Sequence, residues 1–246
     1  MKKMRGLFIT ATDTDIGKTM ITGAIAAAMK VRGIHVGVFK PLASGAIRNE
    51  AGILLAEDAT FLMKAAGIGE ELRQEVNAVA LEPALTPAVA AKISNVCIDI
   101  PKILTDLKQA MKKYEFVLVE GVGGLISPLW EDYLLADMMK ELNFPALLVS
   151  KPRLGAINHT VLSYAYAMQH KIRLDGVVIN RFEASQAGVL EESNIHYIEK
   201  LTNLPVVGRF PLLKQANSLN VEDLAGLAEL TLNIDKIIAI GESYNE

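Results

Sequence analysis

The chain has 246 residues, of which 51% are hydrophobic and 22% charged, and its formal net charge is −3. This mild acidity argues against a general binder of nucleic-acid backbones, which needs a basic surface. With one cysteine and four histidines, the chain lacks an intrachain disulfide and the residues for a Cys/His zinc site. No apolar stretch is long enough to span a bilayer, and the single Cys97 fits a reducing cytoplasm. We expect one domain over residues 1–246, because no repeat or linker interrupts the sequence.

The first predicted strand and the loop after it carry the clearest signal. Residues 7–12 (LFITAT) are typical of a buried parallel strand, and an Ala-rich helical stretch begins shortly after them. The free N–H groups at a helix start bind phosphate. In such a loop we expect Gly17 to let the backbone approach a phosphate, Lys18 to reach the β- and γ-phosphates, and the Thr19 hydroxyl to bind Mg²⁺. Thr12 occupies the position of the first Gly in the common phosphate-loop pattern, so the spacing is not standard.

The second predicted strand ends in a lysine. Residues 35–40 (HVGVFK) place Lys40 at the sheet edge where doubly wound folds bind ligands. On spacing alone, an ordinary solvated lysine at a strand end is the more common interpretation of Lys40. Ser44 lies in the loop that follows, and a helix predicted over residues 51–66 contains Asp58.

A glutamate follows the next apolar strand. Residues 116–119 (FVLV) run directly into Glu120 and then into the glycine-rich sequence GVGG. An acidic residue at a strand end is a frequent ligand of the metal in phosphate-loop proteins, and the glycines allow a tight turn beside a ligand. The alternative is a glycine-rich turn that happens to follow a glutamate, and the strand-end position favours the functional interpretation.

The rest of the chain alternates between strand and helix patterns. Asn180 ends one of these strands, and its amide matches the donor and acceptor edge of adenine, although asparagine is also common in turns after strands. The alternation predicts a P-loop NTPase-like, doubly wound α/β fold with a mostly parallel sheet of about seven strands and helices on both faces. The remaining predicted strands are 146–150, 174–180 and 205–210, and the remaining helices are one starting at Pro87 and those over 100–113, 160–168, 189–202 and 221–240.

Together, several short stretches resemble the dethiobiotin synthetases, ATP-dependent ligases of biotin biosynthesis. Residues 11–19 (ATDTDIGKT) look like that family's GTDTxVGKT loop, which is one residue longer than the common phosphate loop and so accounts for Thr12. The order and approximate spacing hold from residue 7 to about residue 213. The other matching stretches are KPLASG (40–45), VEGVGG (119–124), LGAINH (154–159) and the strand 176–180, which is similar to the family's adenine-site strand.

The sequence departs from the family pattern at two places. Ala11 replaces the leading glycine of the loop, which removes some backbone freedom. The family's EPxSPH segment reads EPALTPA over residues 82–88, with an insertion and with Ala88 in place of the histidine. These differences concern the substrate side of the site more than the nucleotide side.

The resemblance implies a reaction and a set of partners. The substrates are 7,8-diaminopelargonic acid, CO₂ and ATP, with Mg²⁺ as the metal, and the products are dethiobiotin, ADP and phosphate. The protein is expected to be cytoplasmic and a homodimer with its site at the subunit interface, and to bind neither nucleic acid nor a membrane.

The resemblance also implies roles for individual residues. The catalytic residues are Lys18, Lys40, Thr14 and Ser44. ATP is bound by Asp15, Ile16, Gly17, Lys18, Thr19, Glu120, Gly123, Asn180 and Pro211. The diamine is bound by Ser44, Gly121, Leu154, Gly155, Ile157 and Asn158. The Mg²⁺ ligands are Thr19, Asp58 and Glu120.

Other classes of protein stay open at this stage. A related ATP-dependent amide synthase usually brings a nucleophilic cysteine, and Cys97 has no nucleophile-elbow context. A switch ATPase that binds a protein partner typically has an additional lysine early in the loop, and residues 12–15 contain none. A paralogue that acts on another small amine is compatible with Ala88. ATP turnover that needs a diamine and CO₂, rather than a protein or DNA surface, distinguishes these classes.

Overall fold

The computed structural model describes residues 4–213 and 219–243. The strands in this part of the chain are Arg5–Ala11 (β1), Val36–Phe39 (β2), Leu42–Ser44 (β3), Ile47–Arg48 (β4), Leu54–Leu55 (β5), Val79–Leu81 (β6), Phe116–Glu120 (β7), Pro128–Trp130 (β8), Tyr133–Leu134 (β9), Ala146–Ser150 (β10), Leu174–Asn180 (β11) and Val206–Phe210 (β12). The helices are Lys18–Val31 (α1), Glu57–Ala66 (α2), Arg73–Val76 (α3), Pro87–Ile93 (α4), Ile100–Met111 (α5), Leu135–Leu142 (α6), Ala156–Gln169 (α7), Val189–Thr202 (α8), Val221–Thr231 (α9) and Ile234–Glu242 (α10).

A parallel sheet forms the centre of the molecule. Its strand order is β12-β11-β10-β1-β7-β2, and each neighbouring pair is parallel. Within the described ranges this sheet has six strands, against about seven predicted. The other strands form short pairs outside it, namely β3 with β6, β4 with β5 and β8 with β9. Because β1 lies between β10 and β7, the loop that follows β1 emerges near the middle of the carboxyl edge.

Helices cover both faces of the sheet because side chains of the buried strands alternate between two cores. Leu7 and Ile9 of β1 pack in one core with Ile25 of α1, whereas Phe8 packs in the other core with Leu104 of α5. All of these residues are at most 5% exposed. A parallel sheet buried on both faces reads as near-continuous apolar runs, as these strands do. The predicted doubly wound α/β class is therefore confirmed.

Three predicted helical regions differ from the structure, two in where the helix begins and one in the number of helices. Helix α2 begins at Glu57 rather than at residue 51, because the preceding residues form the antiparallel pair β4–β5. Helix α7 begins at Ala156 rather than at residue 160, directly after Gly155 in a left-handed conformation. The predicted helical region 221–240 is two helices, and the Asn233 side chain caps the second by accepting a hydrogen bond from the Lys236 N–H. In the part of the chain that is described, no helix has both the length and the apolar character to cross a bilayer.

Candidate active site

The predicted phosphate loop connects β1 to α1 at the carboxyl edge of the sheet. Gly17 directly precedes α1 and has φ 92°, a left-handed conformation that glycine adopts without steric cost. A Cβ atom on Gly17 would lie 2.1 Å from Nδ2 of Asn180 at the end of β11. Both the turn and the close approach of β11 therefore require glycine here. The strand–loop–helix context that the sequence predicted is present.

Lys18 is a buried cation at the first position of α1, with 7% of its surface exposed. Its Nζ donates to the carbonyl oxygen of Asp13 at 3.4 Å. Burial and the neighbouring Lys40 ammonium lower the pKa of Lys18 to about 8, although the carboxylates of Glu120 and Asp58 act in the opposite direction. The net lowering of this pKa means that nearby carboxylates do not fully offset burial and the second ammonium. Such a cation is suited to bind an anion such as a phosphate.

Lys40, Glu120, Asp58 and Thr19 form one cluster beside the phosphate loop. Lys40 Nζ lies 2.5 Å from Oε1 of Glu120 and 2.8 Å from Oδ2 of Asp58. The Thr19 hydroxyl donates to the same Oε1 of Glu120 at 2.7 Å. Strands β2 and β7 are parallel neighbours, so residues at their carboxyl ends leave the sheet side by side. The topology therefore brings together side chains that are 80 residues apart in the sequence.

Both the lysine and the aspartate of this cluster are charged at neutral pH. Burial acts to lower the pKa of Lys40, but the carboxylates of Glu120 and Asp58 outweigh burial and raise that pKa above its ordinary value of 10.5. Burial acts to raise the pKa of Asp58, but the Lys40 ammonium outweighs it and holds that pKa below its ordinary value of 3.8. The Lys40–Asp58 ion pair is therefore kept over the physiological range of pH.

A magnesium ion fits the donor set of this cluster. Thr19, Asp58 and Glu120 offer hydroxyl and carboxylate oxygens, which are the hard ligands that Mg²⁺ prefers. Oε2 of Glu120 is fully buried and has no hydrogen-bond partner among the residues that the structure describes. The described ranges contain no group of three or more His, Cys, Asp or Glu residues able to hold a metal. Protein oxygens alone do not form a complete cage, and nucleotide phosphates and water would supply the other ligands.

A cavity of about 590 Å³ joins the phosphate loop to this cluster. Most of the catalytic, nucleotide and metal residues that the sequence predicted line this one cavity. The predicted residues that line it are Thr14, Asp15, Gly17, Lys18, Thr19, Lys40, Ser44, Asp58, Glu120 and Gly123. The segment that departs from the family pattern also lines it, through Ala84, Leu85, Thr86 and Pro87.

Sequence reasoning missed three residues that line the cavity, namely Val122, Ser127 and Arg181. Arg181 directly follows the strand-ending Asn180, so the strand-end rule extended by one residue would have identified it. Ser127 is placed by a turn in which its N–H donates to the Gly124 carbonyl at 3.0 Å. No pattern in the sequence indicates that this turn folds back over the cavity.

The Asn180 amide is used inside the protein. Its Nδ2 donates to the Ile16 carbonyl at 2.8 Å, and its Oδ1 accepts from the Arg181 N–H at 2.9 Å. Asn180 therefore ties the end of β11 to the phosphate loop. An amide has a second N–H and a second lone pair, so this role leaves the predicted contact of Asn180 with adenine as a prediction. Ile16 itself is buried, and only its backbone reaches Asn180.

Ile16 and Asn180 do not line the 590 Å³ cavity, and the predicted residues Pro211 and Gly121 also lie away from its surface. Pro211 follows β12 and lines a separate cavity of about 860 Å³ together with Arg32 and Glu229. Gly121 lies where a Cβ atom would come 2.6 Å from Cδ2 of Leu135, so glycine is required there for packing. A nucleotide contact of Pro211 and a substrate contact of Gly121 stay predictions.

The residues at the start of α7 also lie outside this cavity. Leu154 is 81% exposed, and Gly155 precedes the helix with φ 86°. Ile157 is half-buried and Asn158 is exposed. None of these residues lines the phosphate cavity of its own chain. The resemblance assigns them to the site of a neighbouring subunit, and that assignment stays a prediction.

The fold and the site together define a P-loop nucleotide-binding protein. The defining features are a strand–loop–helix unit with a buried lysine at the helix start, a hydroxyl beside it and a carboxylate at the end of the adjacent strand. A family model described as an AAA domain matches residues 5–219. The MinD protein in the MinC:MinD cell division complex of Aquifex aeolicus shows the same fold, with a TM-score of 0.55 and 17% identity over 97% of this chain and 94% of that one.

Sequence comparison identifies the family within this class. The chain is 34% identical to the ATP-dependent dethiobiotin synthetase BioD of Thermodesulfovibrio yellowstonii, over 96% of this chain and 99% of that protein. It is 36% identical to the dethiobiotin synthetase BioD of Bacillus subtilis, over 85% of this chain and 88% of that protein. The chain belongs to the dethiobiotin synthetase family.

Proposed function

We propose that this protein is an ATP-dependent ligase that converts 7,8-diaminopelargonic acid and CO₂ to dethiobiotin, with ADP and phosphate as the other products. The observation that carries this proposal is the single cavity in which Lys18 and Lys40 face Thr19, Asp58 and Glu120. Family membership supports the choice of reaction. A reaction that consumes ATP in biotin biosynthesis fits a cytoplasmic location.

The chemistry that this site has to promote is a reaction between two anions. One neutral amine of the substrate attacks the carbon of CO₂, one C=O π bond opens onto oxygen, and the nitrogen loses a proton to solvent to give a carbamate anion. A carbamate oxygen attacks the γ-phosphorus of ATP, and the bond from that phosphorus to the β–γ bridging oxygen breaks to release ADP. The second amine attacks the carbonyl carbon of the mixed anhydride. Phosphate leaves with the amine proton as the ureido ring closes.

The residues around the cavity act by positioning and by neutralising charge. Lys18 binds the β- and γ-phosphates together with the free N–H groups at the start of α1. Lys40 binds the carbamate and the transferred phosphoryl group. Thr14 and Ser44 donate hydrogen bonds to carbamate or phosphate oxygens. No general base is needed for the attack on the γ-phosphorus, because the carbamate is already an anion.

Mg²⁺ belongs to this proposal through the oxygen ligands Thr19, Asp58 and Glu120. When bound, the ion would neutralise charge on the phosphate oxygens. Because the protein offers two carboxylates and one hydroxyl, we expect tight Mg²⁺ binding only together with a nucleotide.

The long substrate needs a second contact beyond the phosphate cavity. We propose that the start of α7 in a second copy of the chain receives the substrate carboxylate on its free N–H groups, so that the protein acts as a homodimer. The exposed Leu154 and Asn158 support this arrangement, because their segment does not line the cavity of its own chain. The segment at Thr86 and Pro87 would contact the same substrate nearer the reacting amines.

The alternative functions are a related ligase acting on another small amine and a switch ATPase with a protein partner. The likeness to the MinD protein is at 17% identity and concerns the fold alone. The loop residues 12–15 contain no lysine of the kind expected in partitioning ATPases. The dethiobiotin-forming ligase is therefore the function that the site supports best.

The test measures phosphate release from Mg-ATP with and without diaminopelargonic acid and bicarbonate, and identifies the product by mass. We expect release to require both additions and to yield dethiobiotin. Lys40→Gln should reduce turnover by at least a hundredfold. Lys113→Gln is the matched control, because Lys113 pairs with Glu75 at the surface, and it should retain full activity. Phosphate release at the same rate with and without the diamine would refute the proposed substrate.

A further inference from the structure

Arg181 is a cation of the phosphate cavity to which the resemblance gives no role. It follows β11 and lines the cavity together with Lys18, Lys40 and Asp15. Arg181 and Lys40 lie on opposite sides of the phosphate loop, because β11 and β2 lie on opposite sides of β1 in the sheet. The cavity therefore has an arginine on the β11 side and a lysine on the β2 side of the loop that holds the phosphates.

The backbone of Arg181 is fixed relative to the phosphate loop. The Arg181 N–H donates to Oδ1 of Asn180 at 2.9 Å, and Nδ2 of the same amide donates to the Ile16 carbonyl at 2.8 Å. Arg181 has φ 61°, a left-handed conformation that is uncommon for a residue with a side chain. Residues held in such conformations cluster at ligand sites, where the surrounding structure maintains them. Asp15, on the loop itself, has φ 54°.

The Arg181 guanidinium has no carboxylate partner within residues 4–213 and 219–243. In contrast, the described Arg5, Arg32, Arg173 and Arg209 each form an ion pair. Arg181 is also close enough to Lys151 that the pKa of Lys151 is lowered, first by burial and then by Arg181 and Arg153. The carboxylates of Asp15 and Asp13 act on Lys151 in the opposite direction. Within the described ranges Arg181 forms an ion pair with neither of them, so its guanidinium is available to an anion.

We infer that Arg181 binds the β- and γ-phosphates of the nucleotide from the β11 side of the phosphate loop. A guanidinium matches phosphate oxygens with two parallel hydrogen bonds, and the fixed backbone limits the ordering that binding requires. Arg181 thereby supplements Lys18 and leaves Lys40 for the reacting groups. This inference relies on the proposed function only for the use of a nucleotide, and not for the identity of the amine.

The experiment measures the dissociation constants of Mg-ATP, Mg-ADP and AMP by calorimetry, without the diamine, for the unaltered protein, Arg181→Gln and Arg181→Lys. A charge-assisted hydrogen bond to phosphate predicts that Arg181→Gln weakens ATP binding by about ten- to a hundredfold. The loss should be smaller for AMP, and Arg181→Lys should be intermediate because it keeps the charge without the planar fork. Raising the salt concentration should weaken ATP binding less in Arg181→Gln than in the unaltered protein.

Arg173→Gln is the matched control, because Arg173 precedes the same strand β11 at the opposite edge of the sheet, where it pairs with Asp175. It should leave all three dissociation constants unchanged. Equal weakening of ATP and AMP by Arg181→Gln would overturn the inference and indicate a contact with the α-phosphate or the nucleoside. Unchanged ATP binding with an unchanged melting temperature would also overturn it. Failure of dethiobiotin synthesis with normal nucleotide binding would instead refute the proposed substrate.

Discussion

Replacing Lys40 by methionine tests whether the cluster of Lys40, Glu120, Asp58 and Thr19 stabilises the folded protein in addition to its proposed role in the reaction. Glu120 is fully buried and Lys40 is 3% exposed, so the substitution leaves a carboxylate in the interior without its cation. Removing one partner of a buried ion pair costs about 3–5 kcal/mol. For a chain of this size, that loss lowers the melting temperature by about 6–20 °C. The side chain of Asp58 is 49% exposed, and Asp58→Asn should cost at most about 1 kcal/mol because solvent screens this pair.

The assay is urea unfolding of Lys40→Met, Glu120→Gln and the double variant, each without nucleotide. Glutamine at position 120 still accepts the Thr19 hydroxyl but carries no charge, so the double variant should be more stable than Lys40→Met alone. A gain of about 2 kcal/mol is expected from removing the unpaired buried charge. If the two single effects simply add, Lys40 and Glu120 are not coupled and the reasoning is refuted. Equal m-values across the set are needed for the comparison.

Three further predictions concern the loop and the metal. Free Lys18 loses its proton as the pH rises through about 8, so Mg-ATP binding should take up most of one proton near pH 9 and almost none near pH 6.5, as measured by calorimetry in buffers of different ionisation enthalpy. Gly17→Ala meets Asn180 and has φ 92°, so it should lose at least about 2 kcal/mol of unfolding free energy and most ATP affinity. Gly33→Ala, with a similar φ of 79° in open space, should lose only about 1 kcal/mol and keep its ATP affinity. Asp58→Asn should raise the Mg²⁺ concentration needed for half-maximal phosphate release at least fivefold, and an unchanged requirement would remove Asp58 from the metal ligands.

The sequence by itself determined the class of the fold and the main elements of the site. Apolar runs such as residues 7–12 can be recognised as strands, because a parallel strand buried on both faces has almost no polar positions. The phosphate loop is readable because its geometry requires a glycine, a lysine and a hydroxyl at adjacent positions. The sequence predicts that Lys40 and Glu120 lie at one edge of the sheet, because each ends such an apolar run and the carboxyl ends of parallel strands share that edge.

Only the tertiary structure decided how these pieces are arranged around the cavity. The position of β1 between β10 and β7 places Glu120 and Lys40 on one side of the loop and Arg181 on the other. The Asn180 amide donates a hydrogen bond to the Ile16 carbonyl and so connects β11 to the phosphate loop. Pro211 lines a separate cavity. Local sequence patterns describe the hydrogen bonds and periodicity of one segment at a time. The contacts between strand ends depend on the order of the strands, which is set by the packing of the whole sheet.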